Sequence, residues 1–105
     1  MTREIKFREW SPEDKQMFGE WTLAQIASGE YVTKFDKDGV IMQFTGLKDK
    51  NGKEIYEGDL LKVGNGNPFE VIWWEKKCAY NIDEYAQAYG CEVIGNIYSN
   101  PELLK

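Results

Sequence analysis

Apolar and polar residues alternate with period two at several places along this chain, and turn-forming residues interrupt them every few positions. Ile5 and Phe7 alternate with Glu4, Lys6 and Arg8, the pattern of a half-buried strand. Ser11 and Pro12 end it, and Met17 and Phe18 return toward the core. Leu23, Ile26 and Ala27 share one helical face behind Thr22, a suitable N-cap, and before Gly29, a suitable stop. Tyr31 to Phe35 and Val40 to Thr45 flank Asp36-Lys37-Asp38-Gly39, which predicts a hairpin.

Gly46 is expected to break that second strand. Asp49-Lys50-Asn51-Gly52 repeats the turn chemistry, and Lys53 to Tyr56 reads as a brief extended piece. Glu57-Gly58-Asp59 is a further break, with Asp59 as an Asx-type cap, and Leu60 to Val63 is a strand. After the loop 64–68, Phe69 to Trp74 forms one strongly β-prone run. A charged turn at Glu75-Lys76-Lys77 leads into Cys78 to Ile82, and Cys91 to Tyr98 is the last strand. Residues 83–89 fit a helical turn or an edge strand. Asn100 and Pro101 start a final helical turn, with Leu103 and Leu104 expected to tuck against the core. Six or seven short strands with many turns predict a mainly β fold, a small barrel or curled sheet rather than a βαβ unit.

Length adds that 105 residues suit a single domain with one modest core. Four Trp, six Tyr and five Phe supply apolar area for that core. No apolar run approaches a membrane span, and the charged start MTREIKFREW does not read as a secretory leader, so the expected compartment is the cytoplasm. There Cys78 and Cys91 are expected to be free thiols. The absence of His removes histidine bases and the usual zinc ligand sets. A formal charge of −5 disfavours non-specific binding to a phosphate backbone.

Candidate chemistry concentrates in MQFTGLKDKNGKEIYEGDLLKV, residues 42–63. Asp49, Glu54, Glu57 and Asp59 form its carboxylate cluster, and a metal-dependent hydrolase would need several of them, Asp49, Glu57 and Asp59 first, to converge on an ion. A calcium loop lacks its terminal Glu and flanking helices here. GLKDKNGK has five positions between its glycines, where a phosphate-binding loop has four. Lys48, Lys50 and Lys53, with Tyr56 as a stacking ring, would suit contact with a nucleic acid. Trp10, Trp21, Trp73 and Trp74 are candidates for a protein interface, with periodicity placing one of Trp73 and Trp74 inside and the other outside. No residue takes a catalytic, cofactor-binding or metal-ligating role on this reading.

The segments IKFREW at 5–10, MQFTGLKDKNGKEIYEGDLLKV at 42–63 and EVIGNIYSNPELL at 92–104 resemble, in order, the YopX family of bacteriophages and prophages. Gln43, Thr45, Gly46, Leu47, Asp49, Gly52, Ile55, Tyr56, Glu57, Gly58 and Asp59 fit the family's central motif, and Gly95 and Asn96 its C-terminal one. The resemblance implies a small, partly open β-barrel of SH3-like type with an N-terminal extension and short helical segments. It divides the single domain 1–105 into a possible association segment, 1–30, and a barrel core, 31–105. It implies no catalytic residues and no cofactor. The function expected is that of a phage accessory protein with a protein partner or a homo-oligomeric state. A nucleic-acid-binding module is the alternative, and the hydrolase a weaker one.

Overall fold

The computed structural model describes residues 5–28, 39–82 and 90–104. The expected strand Tyr31 to Phe35, its turn and residues 83–89 lie outside the described residues. The chain is mainly β. The elements are β1 (Lys6–Ser11), β2 (Gln16–Thr22), α1 (Leu23–Ala27), β3 (Val40–Lys48), β4 (Glu54–Tyr56), β5 (Asp59–Val63), β6 (Phe69–Glu70), β7 (Trp73–Trp74), β8 (Ala79–Tyr80) and β9 (Cys91–Asn96), with 3-10 turns at Glu75–Lys77 and Pro101–Leu104. Among the described residues the strands form three ladders, β2-β1-β3-β4, β6-β5-β9 and β7-β8, and these do not close into a barrel. The N-terminal hairpin is an integral part of the first sheet, with β1 between β2 and β3.

Short elements are held by specific side-chain bonds. Thr22 caps α1 reciprocally with Gln25: Gln25 N–H donates to Thr22 Oγ1 at 3.2 Å, and Thr22 N–H donates to Gln25 Oε1 at 2.8 Å. Gly46 does not end β3. The strand bulges there instead, since Phe44 pairs with Tyr56 and Lys48 with Glu54, so that Thr45, Gly46 and Leu47 face Ile55 alone. The Thr45 hydroxyl repairs the ladder by donating to Ile55 C=O at 2.8 Å and accepting Leu47 N–H at 3.1 Å. The expected single strand Phe69 to Trp74 divides because Phe69 and Glu70 pair with β5 whereas Trp73 and Trp74 pair with β8.

The core lies between the β5 sheet and the bulged end of β3. Ile55, Leu61, Val71, Ile82 and Cys91 are buried together, with Leu47, Phe69 and Val93 packed against them. Trp10, Met42, Phe44 and Tyr56 are buried on the first sheet. Leu104 is exposed and does not tuck in as expected. In β1 the burial phase also differs from the pattern. Ile5 is exposed, while Lys6 is buried and the Arg8 side chain is only 13% exposed. The charged phase turns inward because each cation finds an acid there: Lys6 pairs with Glu54, and Arg8 Nη2 donates to Asp59 Oδ1 at 2.7 Å.

Candidate functional site

The signature residues at 43–59 and 95–96 are first of all architectural. Asp49 is buried at the β3–β4 turn. Its Oδ1 accepts the N–H groups of Asn51 and Lys53, each at 2.9 Å, and its Oδ2 accepts Val93 N–H at 3.0 Å. Lys50 N–H adds a bond to Cys91 C=O at 2.9 Å, so one turn is tied to β9 twice. Burial pushes the Asp49 carboxyl up, but the three N–H donors and the Lys53 charge outweigh it and hold the group below its ordinary value. Gly52 closes the turn at φ +83°, which a side chain would strain.

Asp59 is the second hub. Besides Arg8, it receives Tyr56 N–H on Oδ2 at 2.8 Å, the cap expected from the sequence. Burial raises its carboxyl above the ordinary value, against the opposing charge of Arg8 and the Tyr56 N–H. Glu57 Oε1 accepts Gln43 N–H at 2.8 Å, and Glu57 N–H returns a bond to Gln43 C=O at 3.0 Å. Asn96 Oδ1 accepts the N–H groups of Tyr98 and Ser99, at 3.0 and 2.8 Å. A Cβ on Gly95 would stand 2.5 Å from Asn100 Oδ1, which itself accepts Asn96 N–H. Gly95→Ala is therefore expected to break that cap and cost about 1–2 kcal/mol, read as a lower urea midpoint at unchanged slope. An unaltered midpoint would refute the close packing.

The four carboxylates of the central stretch thus do not converge. Asp49 serves backbone, Glu54 serves Lys6, Glu57 serves Gln43 and Asp59 serves Arg8 and Tyr56. Among the described residues no group of three Asp, Glu or Cys side chains is placed to hold a metal ion. Cys78 is exposed and Cys91 buried, both free, and burial pushes the Cys91 thiol up.

Lys48, Lys50 and Lys53 are exposed as a nucleic-acid surface requires, but Tyr56 is 2% exposed. Arg8 lies 4.7 Å over its ring and Phe44 packs at 5.5 Å, so it offers no open face for a base. Trp10 is likewise core, stacked on Tyr98 at 5.5 Å, and Trp21 is half-buried. Trp73 and Trp74 are both 45% exposed, where alternation had placed one inside. The reason is that among the described residues β7 and β8 form a two-stranded ribbon with no third strand. Its tryptophans pack locally, Trp73 edge-on to Tyr80 at 5.1 Å and Trp74 under Lys77 at 4.5 Å.

Two concave surfaces stand out among the described residues. The first is a groove of about 250 Å³ between β3 and the segment 70–73, floored near Ile97 and Tyr98 and rimmed by Ile41, Ile72 and Trp73. These three are exposed by 50%, 47% and 45%, which makes an apolar patch. Gln43 directs its N–H and C=O away from β1, toward Glu57. By the two-residue repeat of a strand, Ile41 directs its own N–H and C=O the same way. Among the described residues no strand pairs with Ile41 on that side, since β4 meets β3 only from Phe44 onward. The second surface is a cleft, also about 250 Å³, lined by residues of β1, β2 and the segment 53–56 that include Arg8, Glu20, Lys53 and Tyr56. Burial, then the neighbouring acids Glu20 and Glu54, push the Tyr56 phenol far up, so it stays protonated. The Glu20 carboxylate acts on the Tyr56 hydroxyl, yet that hydroxyl and Arg8 Nε are buried without a hydrogen-bond partner of good geometry.

Arg8, Glu20, Ile41 and Ile72 were not singled out by the sequence. Arg8 sits on the polar phase of a strand, and the apolar residues read as ordinary strand residues. The one signal is that Arg8 belongs to the IKFREW segment.

This geometry defines a small, mainly β domain whose signature residues build turns and buried ion pairs. The chain belongs to the YopX family: the family description, YopX protein, matches residues 6–105. It is similar to the crystal structure of protein EF1440 from Enterococcus faecalis, at 26% identity and a TM-score of 0.63, over 96% of this chain and 98% of that one. No curated protein matches it.

Proposed function

We propose that this YopX family member is a non-catalytic interaction module of phage or prophage origin, acting in the bacterial cytoplasm, that captures an extended segment of a partner protein by strand addition. The observation that carries this is the edge of β3 at Ile41, which no strand among the described residues covers, set in a groove with exposed Ile72 and Trp73. An unpaired strand edge offers main-chain bonds, and the flanking apolar side chains offer pockets for alternate residues of the incoming strand. Among the described residues the charged ones lining the groove are Glu57 and Glu70, so the fitting segment alternates apolar side chains with Lys or Arg. A second copy of this chain fits less well, because each copy carries −5.

The test is a titration of Trp73 fluorescence with a nine-residue peptide of alternating Val and Lys. Binding is expected to weaken about tenfold when alternate peptide nitrogens are methylated, since main-chain donors are lost. It should also weaken on Ile41→Lys, a surface change within about 0.5 kcal/mol of neutral for the fold. Equal binding of a Val/Glu peptide, or none of the Val/Lys one, sinks the proposal. A dimer at high concentration in light scattering, abolished by Ile41→Lys, would assign the groove to self-association instead.

A further inference from the structure

We infer that the cleft between β2 and β4 is a binding site for a small zwitterion, a free α-amino acid, held by Arg8, Tyr56 and Lys53 at its carboxylate and by Glu20 at its ammonium. Among the described residues the two buried side-chain polar atoms without a hydrogen-bond partner are Arg8 Nε and the Tyr56 hydroxyl, and both residues line this one cleft. Buried donors are rarely left unmade, because each forfeits its bonds to water. Two in one place mark a spot where an acceptor from outside the chain belongs. Tyr56 is 2% exposed, so the hydroxyl is not simply solvated.

The charges of the lining select the ligand. Asp59 neutralises Arg8, and Lys6 pairs with Glu54. That leaves Lys53 and Glu20, one cation and one anion, with no ion pair among the described residues. A simple anion would meet Arg8 Nε–H, the Tyr56 O–H and Lys53 but be repelled by Glu20. A simple cation would meet Glu20 and leave the donors unmet. An α-amino acid satisfies both sides, its carboxylate accepting from Arg8, Tyr56 and Lys53 and its ammonium donating to Glu20. Reaching the hydroxyl requires the Glu20 side chain, which is exposed, to shift outward.

The Arg8 Nε–Hε resonance of the full chain, followed by ¹⁵N NMR, reads the site directly. Glycine, alanine, glutamate and lysine are the probes, with acetate and methylammonium as single-charge controls. At least one amino acid should shift that resonance saturably and raise Tm, and neither control should match it. Tyr56→Phe should raise the Tm of the free protein, because an unpartnered hydroxyl is removed, and lose the ligand response. Arg8→Lys, which keeps a cation beside Asp59, should lose the response too. No shift with any amino acid, an equal shift with acetate, or a lower Tm for free Tyr56→Phe would each overturn the inference. Because the groove at Ile41 plays no part in these readouts, their failure leaves the strand-addition reading untouched.

Discussion

Asp59→Ala is expected to destabilise the protein by about 3–5 kcal/mol, a large share of the stability of a domain this size. Arg8 would then be a charge left in a site where its side chain is only 13% exposed, and Tyr56 N–H would lose its acceptor at 2.8 Å. Arg8→Met should be comparably harmful, since it strands the Asp59 carboxylate. Arg8 comes from a distant segment, so the ion pair links β1 to the start of β5 in addition to the local cap on Tyr56 N–H. The double variant Arg8→Met/Asp59→Leu should recover at least half of the loss of either single change. The physical reason is that removing both charges abolishes the desolvation penalty as well as the attraction. Urea melts of the four proteins measure this. A single-variant loss under about 1 kcal/mol would show the pair to be solvent-screened and the burial argument wrong.

The next largest effect belongs to Asp49. Asp49→Ala removes the acceptor of three N–H groups and unties the β3–β4 turn from β9. A loss of about 3 kcal/mol is expected, or a fall in Tm of roughly 10–20 °C. The pH dependence separates the two aspartates by sign. The folded-state value of Asp49 lies below its ordinary 3.8, so its contribution is present above that value and is lost as pH falls toward the folded-state value. Asp59 is shifted the other way, so its contribution is fully present below the ordinary 3.8 and is lost as pH rises through its folded-state value. Asp49→Asn should therefore flatten the loss of stability on acidification below 3.8, and Asp59→Asn should alter the profile above it. Urea midpoints measured across the acid range decide the matter. Parallel profiles for the two variants would contradict the opposite signs.

Much of the local structure was legible because it rests on neighbours in sequence. The Thr22 cap, the turn at Asp49 to Gly52 and the Asx cap of Asp59 all close within a few residues, and residue types alone specify such turns. The family motif was legible for the same reason, since it is largely a set of turn and cap residues. The errors fall where a distant partner decided the outcome. Gly46 suits a strand break, but Thr45 bonds across to Ile55 and carries the strand through. Phe69 to Trp74 was read as one strand, but its two ends found different partners. Tyr56 beside three lysines suits a stacking ring, but Arg8 and Phe44 cover it.

The candidate sites were nearly illegible. Neither surface is a motif, because each joins residues from separate strands that are ordinary one at a time. Of the groove residues the sequence points to Trp73 as an interface residue and to Glu57 and Gly58 only as motif and turn residues, and it gives Lys53 and Tyr56 a different chemistry.

By itself, then, the sequence determined a mainly β chain, its turns and caps, and its membership of the YopX family. These follow from backbone preferences and bonds of short range, which each stretch of chain carries with it. Only the tertiary structure decided which face of β1 turned inward, which tryptophans stayed exposed and where β4 stops covering β3. Those depend on partners up to about half the chain away, as Arg8 meets Asp59, and burial of a charge is set by the partner it finds rather than by its own polarity.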